Sequence, residues 1–142
     1  MTPKTYYSKL SYILLIVVFI VFFAPIIVLF TSNKINTELI LTGLFLIIIF
    51  ALIVHMFYNT TYTITKTELK IKCGFISYKP ISINSIKKIE RSNNIISSPA
   101  ASFDRIEIKY SKFEEIIISP KNKVQFAKDL VNQNPAIENK VT

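Results

Sequence analysis

Few side chains in this sequence could do chemistry, and their spacing does not gather them into a site. There is one histidine, His55, and one cysteine, Cys73. A single imidazole and a single thiol predict neither an internal disulfide nor a cysteine-based metal site. The carboxylates that could act as acids or bases include Asp104, Glu107, Glu114 and Glu115. Glu107 sits between Ile106 and Ile108, which predicts an outward, solvated position. No Ser–His–Asp set can form, because the one histidine lies within an apolar stretch. Gly43 and Gly74 are the only glycines, too few for a phosphate-cradling loop. Asn59-Thr60-Thr61 fits a glycosylation sequon, but the cytoplasmic placement argued below makes the match a chance one. The expectation is no catalytic residue, no cofactor and no metal.

The element that must position His55 is more telling. It belongs to the second of two apolar stretches, residues 12–30 and 39–57, and neither contains Asp, Glu, Lys or Arg. About nineteen residues at roughly 1.5 Å each make a helix of roughly 28 Å, close to the hydrocarbon thickness of a bilayer. Two buried helices of that kind would need an apolar shell larger than the rest of the chain can build. A secretory signal is excluded for the first stretch. Lys4 and Lys9 precede it, but it is too long and no small-residue cleavage site closes it. The pair predicts a transmembrane hairpin, with residues 1–11 a short polar arm and 31–38 the connecting loop. Pro25 predicts a kink that a membrane tolerates, while Gly43, which could permit close helix packing, is a lone glycine and no association motif. An ionisable group within a span is a functional candidate. At the end of the span, His55 is better read as a neutral imidazole at the interface.

Charge and tyrosines orient the hairpin. The net charge is +8, and from Thr60 onward fourteen Lys and Arg face eight Asp and Glu. Lys4 and Lys9 precede the first stretch and Lys66, Lys70 and Lys72 follow the second, while the loop has Lys34 opposed by Glu38. The positive-inside bias predicts cytoplasmic termini and an external loop. Tyr6, Tyr7, Tyr12, Tyr58 and Tyr62 flank the same two ends and predict one interfacial belt. The nearest anion is then the cytoplasmic leaflet, so no nucleic acid is expected. Lys66, Lys70, Lys72, Lys87, Lys88 and Arg91 are the candidate contacts to anionic lipid head groups, with Lys79 near them. A solvated strand face accounts for the same residues without a ligand.

After residue 60 the periodicity becomes two. Tyr62 and Ile64 alternate with threonines, and Leu69, Ile71 and Cys73 alternate with Lys70 and Lys72. Residues 66–68 make a turn, Gly74 a turn or bulge before a strand over 75–83, and residues 86–91 another strand or a short turn. Residues 92–102 read as a long loop. Ile106, Ile108 and Tyr110 then face one way and Arg105, Glu107 and Lys109 the other, returning as a hairpin through 114–118. Ser119-Pro120 predicts a helix start, with serine as cap and proline in the first turn. Asn122 stands where a capping-box glutamate would. Phe126, Ala127, Leu130 and Val131 make an apolar helical stripe, Pro135 ends it, and 136–142 read as a frayed tail. The fold class is an α-helical hairpin of two transmembrane helices followed by a small α+β or all-β domain over 60–135. That domain is an antiparallel bent sheet or barrel capped by one C-terminal helix.

This order resembles the bacterial pleckstrin-homology-like (PH-like) domains, in particular the YyaB-like group. The resemblance rests on Tyr62-Thr63-Ile64 with Leu69 and Gly74, and on the series Ile83, Ile86 and Ile89. It rests further on the run from Pro99 and Ser102 through Arg105 to Tyr110, and on Ile118-Ser119-Pro120 before the Phe126–Leu130 helix. Pro99, Ser102, Arg105, Tyr110, Ser119 and Pro120 are structural motif positions in it. The family usually has an acidic residue in the first turn after Ser-Pro, where this chain has Lys121-Asn122-Lys123. Positive charge there opposes the helix dipole and implies a solvated end or an anion held near it.

The resemblance implies a non-enzymatic binding or scaffold module, anchored on the cytoplasmic face of a bacterial plasma membrane. Its partners would be the bilayer, anionic head groups and an unknown protein or peptide at a strand edge or at the 92–102 loop. Two other readings are a self-protection protein, such as immunity to a membrane-active bacteriocin, and an accessory subunit of a membrane enzyme or transporter.

Overall fold

A computed structural model describes residues 2–32, 36–94 and 102–141. Two helices, α1 (Tyr12–Ser32) and α2 (Thr37–Tyr58), are apolar all round and expose that surface along their whole length. Both are long and apolar enough to cross a membrane. They meet through Phe50, which packs edge-on against Phe19 and Phe23 at 5.5 and 5.6 Å between ring centres. Asn36 caps α2 by accepting the Leu39 N–H at 2.9 Å. Pro25 lies inside α1. A Cβ at Gly43 would meet nothing within 4 Å, so the helices make no close approach at this glycine.

One further strand precedes the helices and eight follow them: β1 (Lys4–Tyr7), β2 (Thr60–Ile64), β3 (Glu68–Cys73), β4 (Ile76–Ser77), β5 (Ile81–Ser82), β6 (Ile86–Ser92), β7 (Arg105–Tyr110), β8 (Glu114–Ile118) and β9 (Glu138–Lys140). Helix α3 (Lys123–Gln133) lies between β8 and β9. The first sheet runs β1-β2-β3-β4, with β5 also on β3, and the second runs β8-β7-β6-β9. They are not closed into a barrel. Alternation explains the packing. Tyr62, Leu69 and Ile71 of the first sheet and Ile89, Ile106 and Ile108 of the second face a common core, which Phe126 and Leu130 of α3 complete. Each such side chain contributes about 1.5–3 kcal/mol by leaving water.

The strands also have a direction relative to the helices. β2 leaves α2 at Thr60, and β3 returns so that Cys73 lies opposite Thr60. Gly74, at φ +56, donates its N–H to the Asn59 carbonyl, and a Cβ there would come within 2.9 Å of Met56 Cγ. This defines a near end of the domain, against the helices. The opposite, far end holds Lys66-Thr67, Ile81–Ser85 and the β7–β8 turn, where Ser111 donates its N–H to the Ser85 carbonyl.

Several expectations change. The polar arm contains β1, which pairs with β2 from Lys4↔Ile64 to Tyr7↔Thr61. The 75–83 strand is two short pieces, β4 and β5, separated at Lys79-Pro80. Ser119 does not cap α3. It is fully buried, Pro120 bridges to Ser8, and Asn122 is the cap, accepting the Gln125 N–H at 3.2 Å. The 136–142 tail carries β9, parallel to β6, with Ile137 and Val141 buried. Arg105 is buried rather than solvated. Tyr62 is also buried, so the exposed tyrosines near the helix ends are Tyr7, Tyr12 and Tyr58.

Candidate functional site at the junction of helices and domain

The near end is built from residues far apart in sequence. β1 continues past Tyr7 into Ser8 and Lys9, which run beside the exit of β8. Lys9 donates its N–H to the Ser119 carbonyl at 2.7 Å, and Lys121 donates to the Tyr7 carbonyl at 2.9 Å. Beneath them the Tyr62 hydroxyl donates to Ser8 Oγ and accepts the Ser119 N–H, both at 3.2 Å. Ser8 and Ser119 Oγ lie 2.9 Å apart. A buried tyrosine hydroxyl is costly unless bonded, and this network meets its needs.

Two carboxylates tie the elements together by charge. Asp104 takes the ammoniums of Lys123 and, at 2.8 Å, Lys9, and these bonds hold its carboxyl below the ordinary carboxylate value. Lys123 is therefore directed away from the α3 dipole to an acid outside the helix, while Lys121 is exposed. Burial pushes the Asp129 carboxyl up. The Lys4 ammonium at 2.5 Å, the Tyr6 hydroxyl and the Gln125 amide at 2.9 Å outweigh burial and leave it below its ordinary value. Tyr6 also packs edge-on against Phe126 at 5.2 Å, so β1 is fastened to α3 by charge and by aromatic contact.

On the outer face of the first sheet, the rung next to the helices places Tyr7, Thr61 and Lys72 side by side. With the end of α2 they line a half-open cleft of about 370 Å³, together with His55, Tyr58, Asn59, Gly74 and Phe75. The His55 ring stacks on Phe75 at 4.4 Å between centres, and Asn59 Nδ2 donates to the His55 carbonyl at 2.9 Å. The far end has a larger cleft, about 490 Å³, lined by charges of both signs, among them Lys87, Lys88, Lys112, Glu114 and Glu138.

The structure does not bring the six basic candidates into one patch. Lys72 lies at the near end, Lys70 is one outward rung further along β3, and Lys66 is in the far-end turn. Lys87 and Lys88 stand at the far-end start of β6, and Arg91 near its opposite end. Lys88 is half-buried and bonded to Glu90 at 2.6 Å. Glu90, held by Lys88 and Lys109, has its carboxyl lowered to about 2. Lys79 is exposed between β4 and β5.

Among the motif positions, the Ser102 carbonyl accepts Arg105 Nε at 2.5 Å, and the Arg105 guanidinium also reaches the Asn94 carbonyl at 3.1 Å. Tyr110 is half-buried, Ser119 and Pro120 are buried, and Pro99 lies outside the described residues. From sequence, Tyr7 figured only in the interfacial belt, Lys9 only in the orientation and Thr61 only in the sequon, none of them in a site. The signal that could have found the strand is composition: Thr5-Tyr6-Tyr7, like Thr61-Tyr62-Thr63 opposite it, consists only of the strand-favouring residues threonine and tyrosine.

No curated protein and no solved structure matches this chain. A family model does, described as Bacterial PH domain and covering residues 60–134. That segment is β2 through α3, and it excludes β1 and β9. Over it the two sheets, the closing helix and the sequence pattern agree, and the chain belongs to the Bacterial PH domain family.

Proposed function

We propose that the chain is a membrane-anchored, non-enzymatic binding or scaffold module, with its PH domain held on the cytoplasmic face of a bacterial membrane. The observation that carries this reading is the β1–β2 pairing. β1 enters α1 and β2 leaves α2, yet the two strands are hydrogen-bonded neighbours. Two crossings satisfy that pairing and one cannot, so a spanning hairpin leaves both flanks on one side. The basic residues at that side, Lys4, Lys9, Lys72, Lys121 and Lys123, favour the cytoplasm.

The carboxylates support a binding rather than a catalytic role. Asp104, Asp129 and Glu90 are bonded to lysines of other elements, and Glu107 to Lys109 of its own strand and to Ser92 of β6, so all four tie parts of the fold together. Reporter fusions at Asn36 and after Thr142 test the topology, with the loop expected outside and the C-terminal fusion inside. The reverse pattern overturns the orientation.

A further inference from the structure

We propose that the junction cleft binds the phosphodiester of an anionic phospholipid from the leaflet that α2 leaves. This rests on the spanning reading above and adds a ligand and a site. The register places Tyr7, Thr61 and Lys72 on one rung, and Tyr58 closes the cleft from the last turn of α2. No lining residue is an Asp or Glu. Elsewhere at the strands and at α3 most lysines, from Lys4 and Lys70 to Lys140, reach a carboxylate within 4.0 Å, while Lys87, Arg91 and Lys128 form no ion pair among the described residues.

Lys72 forms no ion pair among the described residues, and the Tyr7 and Tyr58 hydroxyls form no hydrogen bond there. The cleft thus offers one unneutralised ammonium and several hydroxyl donors, the complement of a phosphate monoanion. Its volume of about 370 Å³ falls in the range of small-ligand sites.

A second observation points to a lipid rather than a free phosphate. Phe75 and Ile76, beside the cleft, are 71% and 53% exposed. Gly74 packs them against the Met56 level of α2, at the end of the apolar span. Aromatic and aliphatic side chains at that depth belong among glycerol backbones and upper acyl carbons, while Lys72 reaches the head group.

The test uses the full chain in nanodiscs of phosphatidylcholine with a minor share of phosphatidylglycerol, reading retained phosphatidylglycerol by native mass spectrometry. Lys72→Met should lower retention about fivefold, the worth of one basic contact at an anionic surface. Tyr7→Phe should lower it less, and Lys66→Met at the far end should leave it unchanged. Equal retention in Lys72→Met and the unaltered chain overturns the proposal, as does an equal loss in Lys66→Met. Displacement of the lipid by excess inorganic phosphate would instead assign the cleft to free phosphate. Alkaline extraction of the same chain from membranes separates the two layers. A chain that extracts sinks the anchor and the cleft together, whereas one that stays while Lys72→Met is silent sinks the cleft alone.

Discussion

At the near end of the domain the buried polar groups are engaged, and the chain crosses itself repeatedly. Tyr62, Ser8 and Ser119 share one buried network, and Asp104 gathers Lys9 and Lys123. At the far end the β7–β8 turn carries Phe113, 90% exposed, with the Lys112 ammonium 5.7 Å from its ring centre. Both ends belong to one core, so the difference does not come from the fold alone. It follows from the tether. The near end must join two helices to two sheets and fix their angle, which requires bonds between distant segments. The far end has no such task, and its turn is free to present side chains.

The contrast can be broken in graded ways. The largest effect should come from Phe126→Ala, which removes the ring joining α3 to Tyr6 and Tyr62. A loss of about 3–5 kcal/mol is expected in denaturant unfolding of the detergent-solubilised chain. Gly74→Ala should follow, at about 2–3 kcal/mol, from the left-handed backbone and the contact with Met56. Its signature should be faster proteolysis between the hairpin and the domain; an unchanged pattern would show that the junction does not depend on this close approach.

Acid should act next. Asp104 and Asp129 both ionise below the ordinary carboxylate value. Their contribution is complete above an unfolded pKa of about 3.9 and is lost as pH falls through the lower folded values. Protection of the β1 amides against hydrogen exchange, taken relative to the intrinsic rate at each pH, should therefore fall below about pH 4. Asp129→Asn should reproduce part of that loosening at neutral pH, at a cost of about 1–3 kcal/mol. The smallest effect should be Phe113→Ser, whose thermal midpoint should move by no more than about 0.5 kcal/mol of stability allows. A larger loss would mean that the far-end turn is part of the fold and that the contrast is overstated.

The hairpin and the core could be read from sequence because each has a period. Continuous apolarity and strict alternation survive without knowledge of partners, as at residues 39–57 or at Leu69, Ile71 and Cys73. β1 and β9 could not be read that way. Four and three residues are too short to show a period, and both exist only through pairing with strands far along the chain. Ser119-Pro120 misled for a related reason. Its side chain fits a helix cap, but burial against Ser8 and Tyr62 claimed it first, leaving Asn122 to cap α3. The basic residues showed their outward face but not their height above the helices. That height depends on strand direction, which separates Lys72 from Lys66 although they are near neighbours in sequence.

The β1–β2 pair has a consequence in time. The helical hairpin occupies the place of a turn between two adjacent antiparallel strands. β1 leaves the ribosome before either helix, and its partner only after both, so the first-made strand waits for the last turn of α2. A flexible connection of that length would pay a growing closure entropy, but two packed antiparallel rods return their ends to each other with little chain left to order. Once the rods are seated in a bilayer, the two strands arrive as neighbours. If the helices span a membrane, assembly of the water-facing sheet is scheduled by their insertion.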